Sequence, residues 1–222
     1  MWKKHVAAVF LDLDGALLDT GAEIDQIWRQ WAQQRGLDFS SFAHRIHSQR
    51  IQEILKSVDP QLNADNESHA LEAALYDAAG RYSKLRAGAR ALLDALAGTP
   101  WGVVTQASGN VAHARMAQAG LEAPPLLVGA EQVTSGRPDP EPYLMAARYY
   151  QVDPRDCLVI ESDENGIRAA RAAEMTVIAL ADRLPRHHLQ RANVVIGNWH
   201  SIILHSQQVG PGQQGIWVEV VV

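Results

Sequence analysis

Short runs of consecutive apolar residues recur along the chain, and they alternate with longer stretches that have helical periodicity. Runs of this length are typical of strands that are buried on both faces of a parallel sheet. Strands alternating with helices predict βαβ units, and hence an α/β fold with a Rossmann-like, doubly wound parallel sheet covered by helices on both faces. The predicted strands are 6–11, 101–104, 126–128, 158–160, 177–180 and 194–196, and the predicted helices between them are 89–96, 111–119, 140–150 and 166–173.

One segment, residues 22–83, has helical signal but no clear strand. Its first part places apolar residues at the i, i+3, i+4, i+7 spacing of one helix face, from Ile24 to Trp31. We interpret Trp28 and Trp31 as core residues of this segment rather than as a substrate platform. Further helices are predicted at 41–57 and 71–82.

These patterns predict two domains. A catalytic core is formed by residues 1–18 and 86–222, and a small α-helical cap domain, residues 19–85, is inserted after the first strand. Hinges are predicted near 15–21 and 86–88. The last part of the core, 202–222, has two β-prone pieces around Gly210, Pro211 and Gly212, which indicate a terminal hairpin.

Composition narrows the function classes. The 222 residues are 47% hydrophobic and 20% charged, as is usual for a globular protein, and they contain one cysteine. A net charge of −5 argues against a nucleic-acid surface, although a local pocket can still bind a small anion. No apolar stretch approaches the length of a membrane span. We therefore predict a cytoplasmic protein, monomeric by default, without a nucleic-acid or membrane partner.

Candidate reactive groups follow the predicted strands, at the ends where ligands bind in open α/β sheets. Asp12 and Asp14 follow the first strand, and Thr105 follows the second. Arg137 lies on a loop, and further carboxylates, Glu161 and Asp163, come after a later strand. A hydroxyl, a cation and several carboxylates at one edge suit phosphoryl transfer, which depends mainly on positioning and charge neutralisation.

Four motifs in this order resemble those of the haloacid dehalogenase superfamily. Residues 12–20, DLDGALLDT, are similar to DxDGTLxDS, and Val103–Thr105 is similar to the second motif, a strand ending in Ser or Thr. Residues 136–143, GRPDPEPY, resemble GKPxPxxY, and 159–170, VIESDENGIRAA, resemble the fourth motif, EDSxxGxxAA. Within the superfamily the chain most resembles the β-phosphoglucomutase-like branch, in particular its bacterial sugar and hexitol phosphatases.

The resemblance implies a magnesium-dependent phosphatase acting on a small phosphorylated metabolite, a sugar or polyol phosphate. Asp12 would form an aspartyl-phosphate, and Asp14 would act as general acid and base. Thr105 and the backbone N–H groups of Gln106 and Ala107 would hold the phosphate, with Arg137 in the place of the family's lysine. The implied metal ligands are Asp12, Asp14, Glu161 and Asp163.

In the cap, His47 and Arg50 are candidates for contacting a sugar phosphate. A position on a solvent-exposed helix face, without contact to a substrate, is an equally good interpretation of these two residues. The substrate itself is not readable from the sequence.

Three positions depart from the family pattern. Ala16 stands in place of a threonine, Arg137 in place of a lysine, and Ser162 in place of the aspartate expected to bind magnesium. A neutral hydroxyl is a poor ligand for a hard dication unless another carboxylate, such as Asp163, compensates. Two alternatives therefore stay open: a catalytically weakened relative that binds a phosphorylated ligand or a partner, and a phosphomutase.

Overall fold

The computed structural model describes residues 1–181, 183–210 and 213–221. Six strands form one parallel sheet, and their ranges are Ala8–Leu11 (β2), Trp101–Val104 (β5), Leu127–Val128 (β6), Cys157–Glu161 (β7), Thr176–Leu180 (β8) and Val194–Ile196 (β9). Their order in the sheet is β6-β5-β2-β7-β8-β9. The chain winds outward first on one side of β2 and then on the other, which is the doubly wound arrangement that the sequence predicts.

Helices cover both faces of this sheet, and their ranges are Ala89–Ala95 (α4), Gly109–Gln118 (α5), Glu141–Tyr150 (α6) and Glu164–Ala172 (α7). Successive residues of a strand point to opposite faces, so Val9 and Leu11 pack with helices α4 and α5, whereas Ala8 and Phe10 pack with α6 and α7. The predicted helices lie at these places, with ends that differ by a few residues.

The predicted first strand, 6–11, is present as β2 but begins too early, at Val6 instead of Ala8. Val6 ends a separate strand, β1 (Trp2–Val6), which lies outside the parallel sheet and pairs antiparallel with a C-terminal strand, β11 (Gln213–Val220). Strands β10 (Ile202–Gly210) and β11 form the predicted hairpin. Its predicted turn at Pro211 and Gly212 lies outside the described residues.

The inserted segment is helical, as predicted. It contains α1 (Gly21–Gln34), α2 (Ile51–Val58) and α3 (Ala64–Tyr82), with short 3-10 turns at Phe39–Ser41 and Ala43–Arg45. The linkers at its two ends pair with each other as strands β3 (Leu18–Asp19) and β4 (Lys84–Leu85). Trp28 and Trp31 are buried in the core of this segment, together with Phe42, as the sequence predicts.

Candidate active site

The candidate catalytic residues converge because β2 lies between β5 and β7. Leu11 is level with Val103 on one neighbour and with Ile160 on the other. The residues that follow these positions, which include Asp12 and Glu161, therefore lie at the same edge of the sheet. The predicted meeting of the motifs at the carboxyl edge is present in the structure.

A buried arginine lies within a group of three carboxylates. Nη1 of Arg137 is 3.0 Å from Oδ1 of Asp12, 2.9 Å from Oε1 of Glu161 and 3.3 Å from Oδ2 of Asp163. All three carboxylates are buried, and each offers one oxygen within 4.8 Å of the others. Arg137 is 2% exposed, so its charge offsets the negative charge of the group without competition from solvent.

This group is still short of positive charge, since three carboxylates face one guanidinium. Burial, and then repulsion from Glu161, raises the pKa of Asp12 to about 7, while Arg137 acts in the opposite direction. Burial likewise raises the pKa of Glu161 to about 7 and raises that of Asp163, again against Arg137. A further cation would therefore be attracted to this edge.

Ser162 contacts Asp12 on the side away from Arg137. Its Oγ is 3.0 Å from Oδ2 of Asp12 and 3.3 Å from the main-chain carbonyl oxygen of Asp14. Gly15 makes this approach possible: its φ is +91°, and a Cβ there would lie 2.7 Å from Ser162 Oγ. The hydroxyl of Ser162 thus lies between Oδ2 of Asp12 and the main-chain carbonyl oxygen of Asp14.

Asp163 does not turn towards Ser162. Its Oδ1 accepts hydrogen bonds from the backbone N–H groups of Asn165 and Gly166, so it caps the N-terminus of α7. Its Oδ2 faces Arg137. Asp163 belongs to the acidic group through this second oxygen.

The side chain of Asp14 is not part of the carboxylate group around Arg137. Its Oδ1 accepts a hydrogen bond of 2.7 Å from the hydroxyl of Thr20, and its Oδ2 accepts one of 2.8 Å from Nη1 of Arg115. Nη2 of Arg115 also lies 3.5 Å from Oε1 of Glu23. Neither Arg115 nor Glu23 is among the residues predicted from the sequence; the available signal for Arg115 was a charged residue on the apolar helix face formed by Val111, Ala112 and Met116.

The loop after β5 carries the predicted phosphate-binding residues. The hydroxyl of Thr105 accepts a hydrogen bond of 3.1 Å from the backbone N–H of Ala107, so one predicted donor is used within the loop. Nε2 of Gln106 is buried without a hydrogen-bond partner among the described residues. Gln106 and Ala107 both line a cavity between the helical insert and the sheet, which Asp14 also lines.

His47 reaches this cavity from the helical insert. Its Nε2 is 2.6 Å from Oδ1 of Asp25, but burial and the nearby charge of Arg183 lower the pKa of His47. The neutral imidazole is therefore the favoured form near pH 7. In this form His47 could exchange hydrogen bonds with a substrate hydroxyl.

The side chain of Arg50 forms hydrogen bonds with Glu53 and with a loop of the core. Its Nη1 donates to the carbonyl of Val133 at 3.0 Å, its Nη2 to that of Thr134 at 2.9 Å, and its Nε to Glu53 at 2.8 Å. In this arrangement Arg50 attaches the start of α2 to a loop of the core. The candidate contact of Arg50 with a sugar phosphate would require exchange of these bonds.

The order of motifs and their meeting at one sheet edge agree with comparison to known proteins. The model of the haloacid dehalogenase-like hydrolases matches residues 6–174, well over half of the chain. The chain belongs to this family. The predictions of the family, of the α/β fold and of an enzyme of the hydrolase class are confirmed.

Several relatives are phosphatases by name. The chain is 32% identical to hexitol phosphatase A of Escherichia coli, over 90% of this chain and 94% of the relative. It is 27% identical to the fructose-1-phosphate phosphatase YqaB of the same species, over 80% of this chain and 97% of the relative. Among solved structures, CbbY of Rhodobacter sphaeroides in complex with phosphate is similar in fold, with a TM-score of 0.76 at 20% identity, over 87% of this chain and 95% of that one.

Within the part of the chain that the structure describes, no helix combines the length and the apolar character needed to span a membrane.

Proposed function

We propose that this chain hydrolyses the phosphate monoester of a small sugar or polyol through an aspartyl-phosphate on Asp12. The arrangement of two carboxylates supports this proposal. Asp12 is held at the centre of the sheet edge by Arg137 on one oxygen and Ser162 on the other. Asp14, two residues later, lines the cavity between the insert and the sheet, which we propose receives the leaving group.

The proposed reaction has two steps. A carboxylate oxygen of Asp12 attacks phosphorus, the bond from phosphorus to the ester oxygen breaks, and Asp14 gives its proton to that oxygen. Water then attacks the phosphorus of the aspartyl-phosphate and gives a proton to Asp14, which releases phosphate and restores Asp12. Arg137 offsets the negative charge that collects at Asp12 during both steps.

The donor atoms beside Asp12 fit Mg²⁺, though with few charged ligands. Oδ2 of Asp12 and the main-chain oxygen of Asp14 lie 3.0 and 3.3 Å from Oγ of Ser162, and oxygen atoms are the ligands that Mg²⁺ prefers. The centre of the acidic group is a poorer place, because Nη1 of Arg137 lies there. We propose that Asp12 and the Asp14 carbonyl hold the ion, with Ser162 adjacent; the ion would supply charge neutralisation for the phosphate. Glu161 and Asp163 would act through Arg137.

The proposed substrate class rests on the named relatives and on the cavity. Both relatives described above are phosphatases of sugars or sugar alcohols by name. The cavity combines apolar side chains from the insert, such as Ile24 and Trp28, with polar ones, such as His47 and Gln49. Such a mixture suits the carbon face and the hydroxyl groups of a polyol.

A weakened enzyme that binds a phosphorylated ligand is the second candidate. It is favoured by Ser162, which provides a hydroxyl next to Asp12 where a carboxylate would bind Mg²⁺ more strongly. A phosphomutase would use the same residues, but it would pass the phosphoryl group to a sugar rather than to water.

The test is hydrolysis of hexitol phosphates, fructose 1-phosphate, glycerol 1-phosphate and an aryl phosphate across a Mg²⁺ titration. We expect turnover that rises with Mg²⁺ and is abolished by Asp12→Asn, whereas Asp94→Asn, a change of an exposed carboxylate on α4, leaves it unaltered. Acid-quenched protein should carry label from a ³²P-labelled substrate, and Asp12→Asn protein should not. If the wild type hydrolyses none of these substrates but binds a sugar phosphate measurably, the second candidate is favoured. Transfer of the label to a sugar would favour the mutase.

A further inference from the structure

A buried arginine connects the proposed general acid to the helical insert. Arg115 lies on α5 and is 2% exposed, with Ala112 and Met116 of the same helix in the main apolar core. A buried guanidinium is costly unless carboxylates neutralise it. Burial of Arg115 therefore requires carboxylates within ion-pairing distance of its guanidinium.

Two carboxylates from different segments supply them. Asp14 belongs to the loop after β2, and its Oδ2 lies 2.8 Å from Nη1 of Arg115. Glu23 belongs to α1, the first helix of the insert, and its Oε1 lies 3.5 Å from Nη2. Because Thr20 holds the other oxygen of Asp14, the orientation of this carboxylate is fixed from both sides. Each of its oxygens retains a second lone pair, so Asp14 can still carry a proton, and Glu23 then supplies the negative charge that neutralises Arg115.

Arg115 also lines the cavity, together with Asp14 and Gln106. Its Nε is buried and, like Nε2 of Gln106, has no hydrogen-bond partner among the described residues. Unsatisfied buried donors are uncommon in folded proteins and are often completed by a ligand or a water molecule. Arg115 therefore binds Asp14, and the unpaired donors around it are suited to bind a polar ligand in the cavity as well.

We infer that Arg115 is a positioning residue for the reaction: it holds Asp14 towards the leaving-group oxygen and, through Glu23, makes that orientation depend on the docked position of α1. This inference rests on the proposed function. Its consequence concerns the leaving group. An alkyl oxygen needs a proton as it departs, whereas a nitrophenolate is stable without one, so correct orientation of Asp14 matters far more for a polyol phosphate than for an aryl phosphate.

The test compares kcat and KM of the wild type, Arg115→Met and Arg115→Lys on glycerol 1-phosphate and on p-nitrophenyl phosphate. We expect Arg115→Met to lower kcat on the alkyl phosphate by about 100-fold, and to lower it on the aryl phosphate by a factor at least about tenfold smaller. Arg115→Lys, which keeps a charge near Asp14, should recover part of the loss. Arg148→Met, an exposed arginine on α6, is the matched control.

A double mutant separates positioning from support of the fold. If Arg115 acts through Asp14, Arg115→Met should add little to the loss already caused by Asp14→Asn on the alkyl phosphate. Equal losses on both substrates, or additive losses in the double mutant, would overturn the inference while leaving the proposed function intact. Should Arg115→Met fail to fold, Glu23→Gln and Arg115→Lys give the same comparison between substrates. A wild type that hydrolyses neither substrate would remove the proposed function and this inference with it.

Discussion

Ser162 places a neutral oxygen next to Asp12, at 3.0 Å from its Oδ2. A carboxylate there would add a negative ligand beside Asp12 and the Asp14 carbonyl. The affinity of an oxygen site for a hard dication rises with the charge of its ligands. Substitution of Ser162 therefore tests what limits the affinity of this protein for Mg²⁺.

We predict that Ser162→Asp raises the affinity for Mg²⁺ by at least about tenfold. The same change should lower the free energy of unfolding in the absence of metal, since a further carboxylate joins an under-neutralised buried group. Calorimetric titration with Mg²⁺ and thermal unfolding with and without Mg²⁺ measure both effects. Ser162→Ala removes the hydroxyl without adding charge, so it serves as the control; equal Mg²⁺ affinity in the wild type and Ser162→Asp would contradict the prediction.

The ionised carboxylate of Asp12 is expected to lower the free energy of unfolding. Its pKa is raised from 3.8 to about 7 by burial and by repulsion from Glu161. A carboxyl group whose pKa is higher in the folded than in the unfolded state stabilises the fold at low pH. That contribution is lost as the pH rises from about 4 through 7, because the unfolded chain releases its proton first.

Asp12→Asn should therefore stabilise the metal-free protein at pH 8, by roughly 1–3 kcal/mol, and have little effect at pH 4. Urea unfolding in the presence of a chelator, repeated across this pH range, measures the difference. Asp94→Asn provides the control. A metal-free Asp12→Asn protein that is less stable than the wild type at pH 8 would show that the bond between Asp12 and Arg137 outweighs burial and repulsion.

At the scale of elements, β7 and α7 approach each other closely through Gly166. A Cβ on this residue would overlap Oε1 of Glu161, the oxygen to which the hydroxyl of Tyr143 donates. Glycine within a helix costs about 1 kcal/mol relative to alanine. The glycine of the fourth motif is thus explained by the space that a buried glutamate requires.

Gly166→Ala should displace Glu161 and lower the free energy of unfolding by about 1–3 kcal/mol or more. Its activity should fall as well, because Glu161 holds Arg137. Gly197→Ala is a suitable control, since no atom beyond the neighbouring residues of the chain lies within 4 Å of the added Cβ. Urea unfolding measures the free energy of unfolding of the two variants. Equal values for both would mean that Glu161 can move without loss of stability.

At the scale of the whole molecule, the helical insert is attached to the core at several points. The paired linkers β3 and β4 form one, and Val111 of α5 packs into the insert's apolar core. Arg50 forms another through the carbonyls of Val133 and Thr134. Opening of the insert to admit a substrate would have to break the contacts of Arg50.

Arg50→Ala should increase hydrogen exchange of α2 amides by roughly tenfold, since its bonds to the core are worth on the order of 1–2 kcal/mol. Lys56→Ala, an exposed change on the same helix, should leave exchange unaltered. A change in KM for sugar phosphates without faster exchange would instead indicate that Arg50 contacts the substrate, which is one of the two roles that the sequence leaves open for it.

The sequence by itself determined the alternation of strands and helices, the place of the helical insert and the meeting of Asp12, Thr105 and Glu161 at one edge. Local patterns suffice for this, because apolar periodicity specifies element type and parallel strands share the direction of their ends. Only the tertiary structure decided that β1 leaves the sheet, that Asp163 caps α7 rather than facing Ser162, and that Arg115 lies against Asp14. Each of these depends on pairing between segments far apart in the chain, and periodicity along the chain carries no information about which distant partner a strand end or a buried charge will meet.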